Sequence, residues 1–303
     1  MKKIPNITIT LAIASILVAA LSFVMPKDKE KYLRDRFWTQ KTFASSKYNI
    51  IIMGDSRVYR GLSPGVMEKK LPGMKILNFG YSNGGLNTAM FEMAEKKISL
   101  QSRNKVIILG VSPNCITGFS RNNEQYLQEK KRPREDLFER LYLNGILYHF
   151  SATTPEGISN LLKKKSSNSY YLNEYQANGY VESEKFPADT MESIPSYISD
   201  FTNYKVEERY VDEMIKQVKI WSNKGITVFG FRPPVSLPMR ALEDTMGLYN
   251  EPEIRALFNQ AGGHWADLNP NSYKTYDGSH LDKKSAIRLS EDLARDIKPF
   301  LNE

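Results

Sequence analysis

Short runs of apolar residues, each ending close to a glycine, recur along the chain. Four of them lie at residues 49–53, 74–78, 105–109 and 226–229, and a fifth, weaker run lies at residues 264–268. A continuous apolar run of this length is typical of a strand that is buried on both faces. The pattern therefore predicts five buried strands.

Helical periodicity fills the intervals between these strands. The predicted helices lie at residues 61–71, 86–98, 205–223, 252–260 and 283–300. In the third of them the apolar side chains recur every three or four positions, and Gly225 follows as a stop. Because strands and helices alternate, the sequence predicts a three-layer α/β fold with a doubly wound, parallel, five-stranded sheet.

Residues 115–205 interrupt this alternation. The segment is too long for a simple crossover and has no apolar strand run. We predict that it forms a helical cap inserted over the carboxyl edge of the sheet, with helices at residues 134–150 and 155–165. For residues 166–194, an ordered cap and a partly disordered loop are both open.

The first apolar segment, residues 7–25, is apolar on every face and contains no charged residue. As a helix it spans about 28 Å, close to the ~30 Å hydrocarbon core of a bilayer. We predict an N-terminal transmembrane helix as a membrane anchor over residues 1–26, a linker over residues 27–47 and a body over residues 48–303. A cleaved signal peptide is the alternative, since the small residues at positions 18–20 offer a cleavage site.

The distribution of charge bears on topology and partners. The chain has 303 residues and a net charge of +8, and residues 1–36 hold seven basic and three acidic residues. Lys2 and Lys3 favour a cytoplasmic N-terminus, which places the body in the periplasm or at the cell surface, or free in the medium if the segment is cleaved. The basic character therefore reflects a membrane flank, and no nucleic-acid partner is expected.

The residues with candidate chemistry follow the predicted strands or precede the last helix. Ser56 lies in a Gly-Asp-Ser-Arg block directly after the first strand, at a helix N-terminus that favours a developing anion. Asp277 and His280 lie in one turn, where the carboxylate accepts the imidazole Nδ1–H and leaves Nε2 free to take a serine proton. The amide of Gly80, after the second strand, is a candidate oxyanion donor.

Two arginines reach the same edge of the predicted sheet. Arg57, next to Ser56, either holds an anionic substrate or forms a local salt bridge. Arg232 follows the fourth strand and either clamps a carboxylate or phosphate or pins the loop of Asp277. The single cysteine, Cys115, excludes an internal disulfide and is better explained as a small buried residue than as a nucleophile.

This ordered set of residues resembles the SGNH (GDSL-type) hydrolase superfamily over residues 48–114 and 206–300. The resemblance implies a flavodoxin-like SGNH hydrolase fold with Ser56 as the nucleophile, His280 as the base and Asp277 as its orienting group. It also implies that Gly80 donates to the oxyanion.

The family has a further conserved sequence block after its third strand, and this chain departs from it there. Gly110 matches, but Ser112-Pro113 stands where the family has an Asn-Asp pair that supplies a side-chain oxyanion donor. Asn114, Ser112 and Asn83 are the alternatives for that donor. The predicted anchor, the Ser-Pro-Asn block and the Asp-Gly-Ser-His-Leu block together are similar to the membrane-anchored branch that includes D-alanine transfer proteins of lipoteichoic-acid biosynthesis and polysaccharide O-acetylation proteins.

The sequence is compatible with three functions. The first is a membrane-anchored, extracytoplasmic serine esterase that acts on O-acyl groups of envelope glycans or lipids. The second is an acyltransferase that uses the same acyl-Ser56 intermediate, and it implies a membrane-bound partner that delivers the acyl group. The third is a catalytically inactive binding or assembly subunit of an envelope polysaccharide machinery. None of the three calls for a cofactor.

Overall fold

A computed structural model describes residues 5–24, 29–145 and 169–301 of the chain. The chain divides into two compact units. The first comprises Met1–Gln40 and Arg132–Ser167, and the second comprises Lys41–Lys131 and Asn168–Glu303. The candidate catalytic residues all lie in the second unit.

The described part of the first unit is helical. Its helices are α1 (Pro5–Val24), most of α2 (Lys29–Thr42) and α7 (Arg134–Phe138), which continues into a π-helical turn at Glu139–Leu143. The helix predicted at residues 134–150 is therefore observed at its start, and its remainder lies outside the described residues. The helix predicted at residues 155–165 lies wholly outside them.

Helix α1 coincides with the segment in which we predicted a transmembrane helix. Polar Thr8, Thr10 and Ser15 lie within its apolar stretch. Among the helices of the described ranges, none is long and apolar enough to cross a membrane. The expectation of a transmembrane helix is therefore not confirmed, and the extracytoplasmic location stays a prediction from the sequence.

The second unit is built on a five-stranded parallel sheet, as predicted. Its strands are β1 (Ile50–Met53), β2 (Ile76–Asn78), β3 (Val106–Gly110), β6 (Thr227–Phe231) and β7 (His264–Trp265). The strand order is β2-β1-β3-β6-β7, with Ile51 opposite both Leu77 and Ile107. Because the chain runs outward in both directions from β1, the strand order reverses beside β1, where α/β sheets of this kind hold their ligands.

Helices cover both faces of this sheet, which is consistent with a flavodoxin-like fold. Alternate strand residues point to opposite faces, so Ile52 and Ile108 share one core with Leu289 and Leu293 of the last helix. On the other face, Phe91 and Trp221 meet edge to face with ring centroids 5.3 Å apart. The helices of this unit are α3 (Ser56–Gly61), α4 (Pro64–Lys70), α5 (Thr88–Lys97), α6 (Glu124–Lys130), α8 (Ile194–Asn203), α9 (Glu208–Asn223), α10 (Leu237–Thr245), α11 (Glu251–Gln260) and α12 (Lys283–Ile297).

A β-hairpin stands in part of the region predicted as a helical cap. Strands β4 (Tyr170–Tyr175) and β5 (Val181–Phe186) pair antiparallel. The hairpin contacts the sheet through its turn, where the Asn178 carbonyl accepts the Asn78 amide of edge strand β2 at 2.9 Å. Of the two alternatives left open for residues 166–194, the ordered one holds for residues 170–186, but they form strands rather than part of a helical cap. The sequence did not reveal these strands because they are polar and partly exposed, and so lack the apolar run of a buried strand.

We expect the hairpin turn to be sensitive to the smallest side chain. Gly179 has φ +87°, and a Cβ there would lie 2.0 Å from the Asn78 carbonyl oxygen. Gly73 has a similar φ of +84° but open space around it. Gly73→Ala should therefore lower the free energy of unfolding by about 1–2 kcal/mol through backbone strain alone. Gly179→Ala should lower it by a further 1–3 kcal/mol through overpacking. Urea unfolding measures both, and equal midpoints for the two variants would contradict the docking of the turn.

Candidate active site

The turn that carries Ser56 is shaped by the residue before its cap. Gly54 has φ +148°, and a Cβ there would lie 2.3 Å from Val58 Cγ2 and 2.9 Å from the Gly110 carbonyl oxygen. Only glycine allows β1 and β3 to approach the start of α3 this closely. Asp55 then caps α3, because its side chain accepts the Arg57 amide at 2.9 Å. Ser56 is thereby fixed as the first residue of the helix.

The turn that carries His280 is held by one carboxylate. Asp277 Oδ1 accepts the amides of Ser279 at 2.9 Å and His280 at 2.7 Å. Gly278, which follows Asp277, has φ +91°, and a Cβ there would lie 2.2 Å from the Thr190 carbonyl oxygen. The backbone of this turn is therefore fixed before the side chains meet.

Three predicted catalytic side chains come together at the carboxyl edge of the sheet. His280 Nδ1 lies 2.7 Å from Asp277 Oδ2, and His280 Nε2 lies 2.9 Å from Ser56 Oγ. A carboxylate at Nδ1 selects the tautomer with its proton there, which leaves Nε2 as an acceptor facing Ser56 Oγ. The Tyr276 ring stacks beside the imidazole, with centroids 5.8 Å apart and planes 15° apart.

The electrostatic state of Asp277 suits this arrangement. Burial by itself raises the pKa of the carboxyl, but the hydrogen bonds from the His280 ring and from the His280 and Ser279 amides outweigh it and hold the pKa at about 2. The carboxylate is therefore ionised at neutral pH and can orient and stabilise a protonated imidazole.

The predicted oxyanion donors are arranged less simply. The Gly80 amide donates to Asn78 Oδ1 at 3.1 Å, while Asn78 Nδ2 donates to two carbonyls of the α3 region. The amide that we predicted to face an oxyanion is thus taken up within its own turn. The Ser56 amide, at the N-terminus of α3, has no acceptor among the described residues.

The candidates for the side-chain oxyanion donor separate in the structure. Asn114 is buried in a short 3₁₀ helix directly after β3, and its carboxamide has no hydrogen bond to a described residue. Ser112 is committed to Asp55, since its hydroxyl donates to Asp55 Oδ2 at 2.5 Å. Asn83 is exposed with φ +50° and lines a cleft between neighbouring loops. Asn114 therefore fits the donor role best.

The two arginines that we considered as ligand contacts are buried and paired with carboxylates of the protein. Arg57 and Arg232 are both buried and both pair with Glu243, whose side chain is fully buried. The pairing with Arg232 measures 2.7 Å, and Arg232 also contacts Asp244 at 2.8 Å. Arg57 thus forms the local salt bridge that we considered. The guanidinium of Arg232 pairs with carboxylates of the protein itself, and it has no hydrogen bond to the described residues of the Asp277 loop.

Sequence reasoning missed Glu243 and its connection to the histidine turn. Arg57 Nε donates to Ser279 Oγ at 3.0 Å, and the Tyr197 hydroxyl lies 2.8 Å from the same oxygen. The Arg57 guanidinium lies over the Tyr197 ring at 4.9 Å. One signal was available in the sequence: two arginines placed at one buried sheet edge call for a carboxylate partner.

Cys115 does not compete with Ser56 as a nucleophile. Burial raises the pKa of its thiol, and the nearby Asp55 carboxylate raises it further. A thiol in this state holds its proton and is inert.

The buried charges give a test of stability. Glu243→Gln should lower the free energy of unfolding by about 3–5 kcal/mol, because two buried guanidinium groups lose their shared carboxylate. Asp267→Asn is the matched control, since the Arg255–Asp267 pair is exposed and should contribute no more than about 1 kcal/mol. Thermal and urea unfolding measure both variants. Equal losses would show that burial of Glu243 does not matter.

Comparisons with known proteins do not assign the chain to a family. No family model matches the sequence, and no curated protein matches it either. A solved structure described as "The structure of a putative platelet activating factor from Streptococcus pneumonia" is similar to the chain at 15% identity. The similarity covers 96% of this chain and 99% of that one, with a TM-score of 0.33.

Proposed function

We propose that the chain is a serine hydrolase or acyltransferase of the SGNH type that forms an acyl-Ser56 intermediate. One observation carries the proposal: the continuous relay from Asp277 through His280 to Ser56, with contacts of 2.7 and 2.9 Å. A serine hydroxyl becomes an effective nucleophile when an oriented imidazole accepts its proton. The proposed substrates are O-acyl groups of envelope glycans or lipids, as the resemblance implies.

The proposed chemistry has two balanced halves. Ser56 Oγ attacks the ester carbonyl carbon while His280 Nε2 takes the hydroxyl proton, and Asp277 stabilises the imidazolium. The tetrahedral intermediate collapses, the ester C–O bond breaks, and His280 returns the proton to the leaving alkoxide. Water or an acceptor hydroxyl then attacks the acyl carbon and gives its proton to His280. The bond between the acyl carbon and Ser56 Oγ breaks, His280 returns the proton to Oγ, and the acid or the new ester leaves.

The negative charge of the tetrahedral intermediate must be stabilised by hydrogen-bond donors, and this site has few of them. The Ser56 amide and the Asn114 carboxamide are the groups available at the carboxyl edge, and the dipole of α3 acts in the same direction. Removal of one such donor costs about 10²–10³ in rate in serine enzymes. We therefore propose Asn114 as the side-chain donor that replaces the family's asparagine.

One observation favours an alternative function, a binding or assembly subunit without catalytic activity: the Gly80 amide already donates to Asn78 Oδ1. A site whose oxyanion donor is occupied by Asn78 stabilises the intermediate poorly. Complementation in cells separates the two functions: full activity of a Ser56→Ala variant would support the binding subunit, and loss of activity would support the enzyme.

Covalent chemistry at Ser56 is tested most simply by intact-mass spectrometry. The full-length chain, incubated with p-nitrophenyl acetate, should gain one acetyl group and release p-nitrophenol in a stoichiometric burst. Ser56→Ala and His280→Ala should each lack the adduct, because the first has no nucleophile and the second no base. Ser46→Ala is the matched control, a serine outside the relay, and should behave as wild type. An adduct that persists in Ser56→Ala would contradict the proposal.

The orienting role of Asp277 predicts a specific kinetic loss. Asp277→Asn should lower kcat by about 10³–10⁴, since an amide favours the wrong imidazole tautomer. The pKa near 2 keeps the wild-type carboxyl ionised at ordinary assay pH, so a large loss should remain at every pH between about 5 and 9. Asp282→Asn, at the cap of α12, serves as the control and should retain activity, because asparagine caps equally well. A loss in Asp277→Asn that disappears towards pH 5 would contradict this role.

A further inference from the structure

A polar cleft lies beside the relay and is not used by the chemistry described above. It has a volume of about 480 Å³ and is lined by the loop after β2 and by the segment that follows β3. Strands β2 and β3 flank β1 in the sheet, and the turn after β1 carries Ser56. The two walls meet beyond the end of β1, where the Ser82 amide donates to Gln125 Oε1 and the Gly85 amide to Asn123 Oδ1, both at 2.7 Å. They lie at the edge of the sheet that carries Ser56.

The β2 wall is packed directly against the nucleophile turn. A Cβ at Gly84 would lie 2.6 Å from the Gly54 carbonyl oxygen, so the two backbones are in contact. Ser82 Oγ lies 3.0 Å from the hydroxyl of Tyr59, in α3. Asn83, between these anchored neighbours, has φ +50° and an exposed side chain in the cleft.

The lining of the cleft is rich in carboxamides that the fold leaves unused. The side chains of Asn83, Asn122 and Gln128 are exposed, and their carboxamides have no hydrogen bond to another described residue. Gln125 uses only its oxygen, which accepts the Ser82 amide at 2.7 Å. Each free carboxamide offers two donors and an acceptor, a pairing that matches the hydroxyl group.

Two aromatic rings complete the lining. Phe119 and Tyr204 are exposed by 36% and 42%, and their ring centroids lie 5.4 Å apart. Partly exposed aromatic side chains offer an apolar surface to the C–H face of a ligand's ring. The neighbouring hydrogen-bonding side chains offer polar partners to the groups around the edge of that ring. Among the described lining residues, Glu124 is the one that carries a full charge, so an anionic ligand finds no cation here.

We propose that this cleft binds an uncharged, polyhydroxylated ring, a glycan, with its C–H face on Phe119 and Tyr204 and its hydroxyls on the carboxamides. Amide and aromatic groups together suit a sugar better than a lipid chain, which needs a continuous apolar wall. The identification of this glycan as the acyl acceptor or donor rests on the proposed function, whereas its binding does not.

Binding is measured on the full-length Ser56→Ala variant, which cannot turn over an ester. Titration calorimetry with maltotetraose and with chitotetraose should detect saturable binding of at least one of them. Phe119→Ala and Gln128→Ala, each added to Ser56→Ala, should weaken that binding by about tenfold and about fivefold. Both side chains are exposed, and unchanged circular dichroism melting shows that the variants fold.

Two matched controls lie outside the cleft. Gln101→Ala removes an exposed carboxamide before β3, at the opposite edge of the sheet, and Tyr142→Ala removes a ring that is 68% exposed in the first unit. Both should leave the dissociation constant within twofold of the parent.

Three results would overturn the proposal. They are the absence of binding for both tetrasaccharides, equal weakening by the cleft and control variants, and tighter binding of dihexanoyl phosphatidylcholine that is lost in Phe119→Ala. Because Ser56→Ala is the parent, a failure of the acyl-enzyme experiment leaves these results unaffected, and the two proposals fail separately.

Discussion

A single buried carboxylate, Glu243, connects the parts of the structure on which the site depends. It accepts hydrogen bonds from Arg57, next to the nucleophile, and from Arg232, at the exit of β6. Arg57 in turn donates to Ser279 in the histidine turn. Two turns that are more than 200 residues apart in sequence are thereby held by one network of charges. A buried charge that loses its partner lowers the free energy of unfolding, so these side chains are restricted to arrangements in which every charge stays paired.

The relay itself depends on a second carboxylate, whose position is fixed by backbone amides rather than by other charges. Asp277 accepts two amides and the imidazole, which holds its pKa at about 2. Because the folded-state pKa lies below the unfolded value of about 3.9, this group stabilises the fold above pH 4 and loses that contribution as the pH falls towards 2. The hydrogen bond between Asp277 and His280 therefore also contributes to stability at neutral pH.

The sequence was sufficient to predict the sheet and the three relay residues, because both follow from local pattern and from one topological rule. Apolar runs placed β1, β2, β3, β6 and β7, and carboxyl ends of parallel strands meet at one edge. The hairpin β4–β5 was missed because its polar strands resemble a loop, although the Asn178-Gly179 pair is a known hairpin turn signal.

Two features of the site needed three-dimensional contacts. The two arginines indicate a carboxylate partner, but the pairing of Glu243 with Arg57 joins residues 186 positions apart, so the sequence does not show which carboxylate it is. The Gly80 amide was expected to be free, but the Asn-Phe-Gly sequence lets Asn78 fold back onto it, as asparagine does in many turns. Under the proposed function, oxyanion stabilisation would consequently fall to the Ser56 amide and Asn114 rather than to the predicted glycine.

In the proposed function the relay makes Ser56 a nucleophile, and labelling with a fluorophosphonate detects such a serine. Such reagents phosphonylate a serine that a neighbouring base activates. Peptide mapping of the labelled full-length chain should find one phosphonyl group, on Ser56, and none after the His280→Ala substitution. Labelling at another residue, or labelling of Ser56 that persists without His280, would contradict the account.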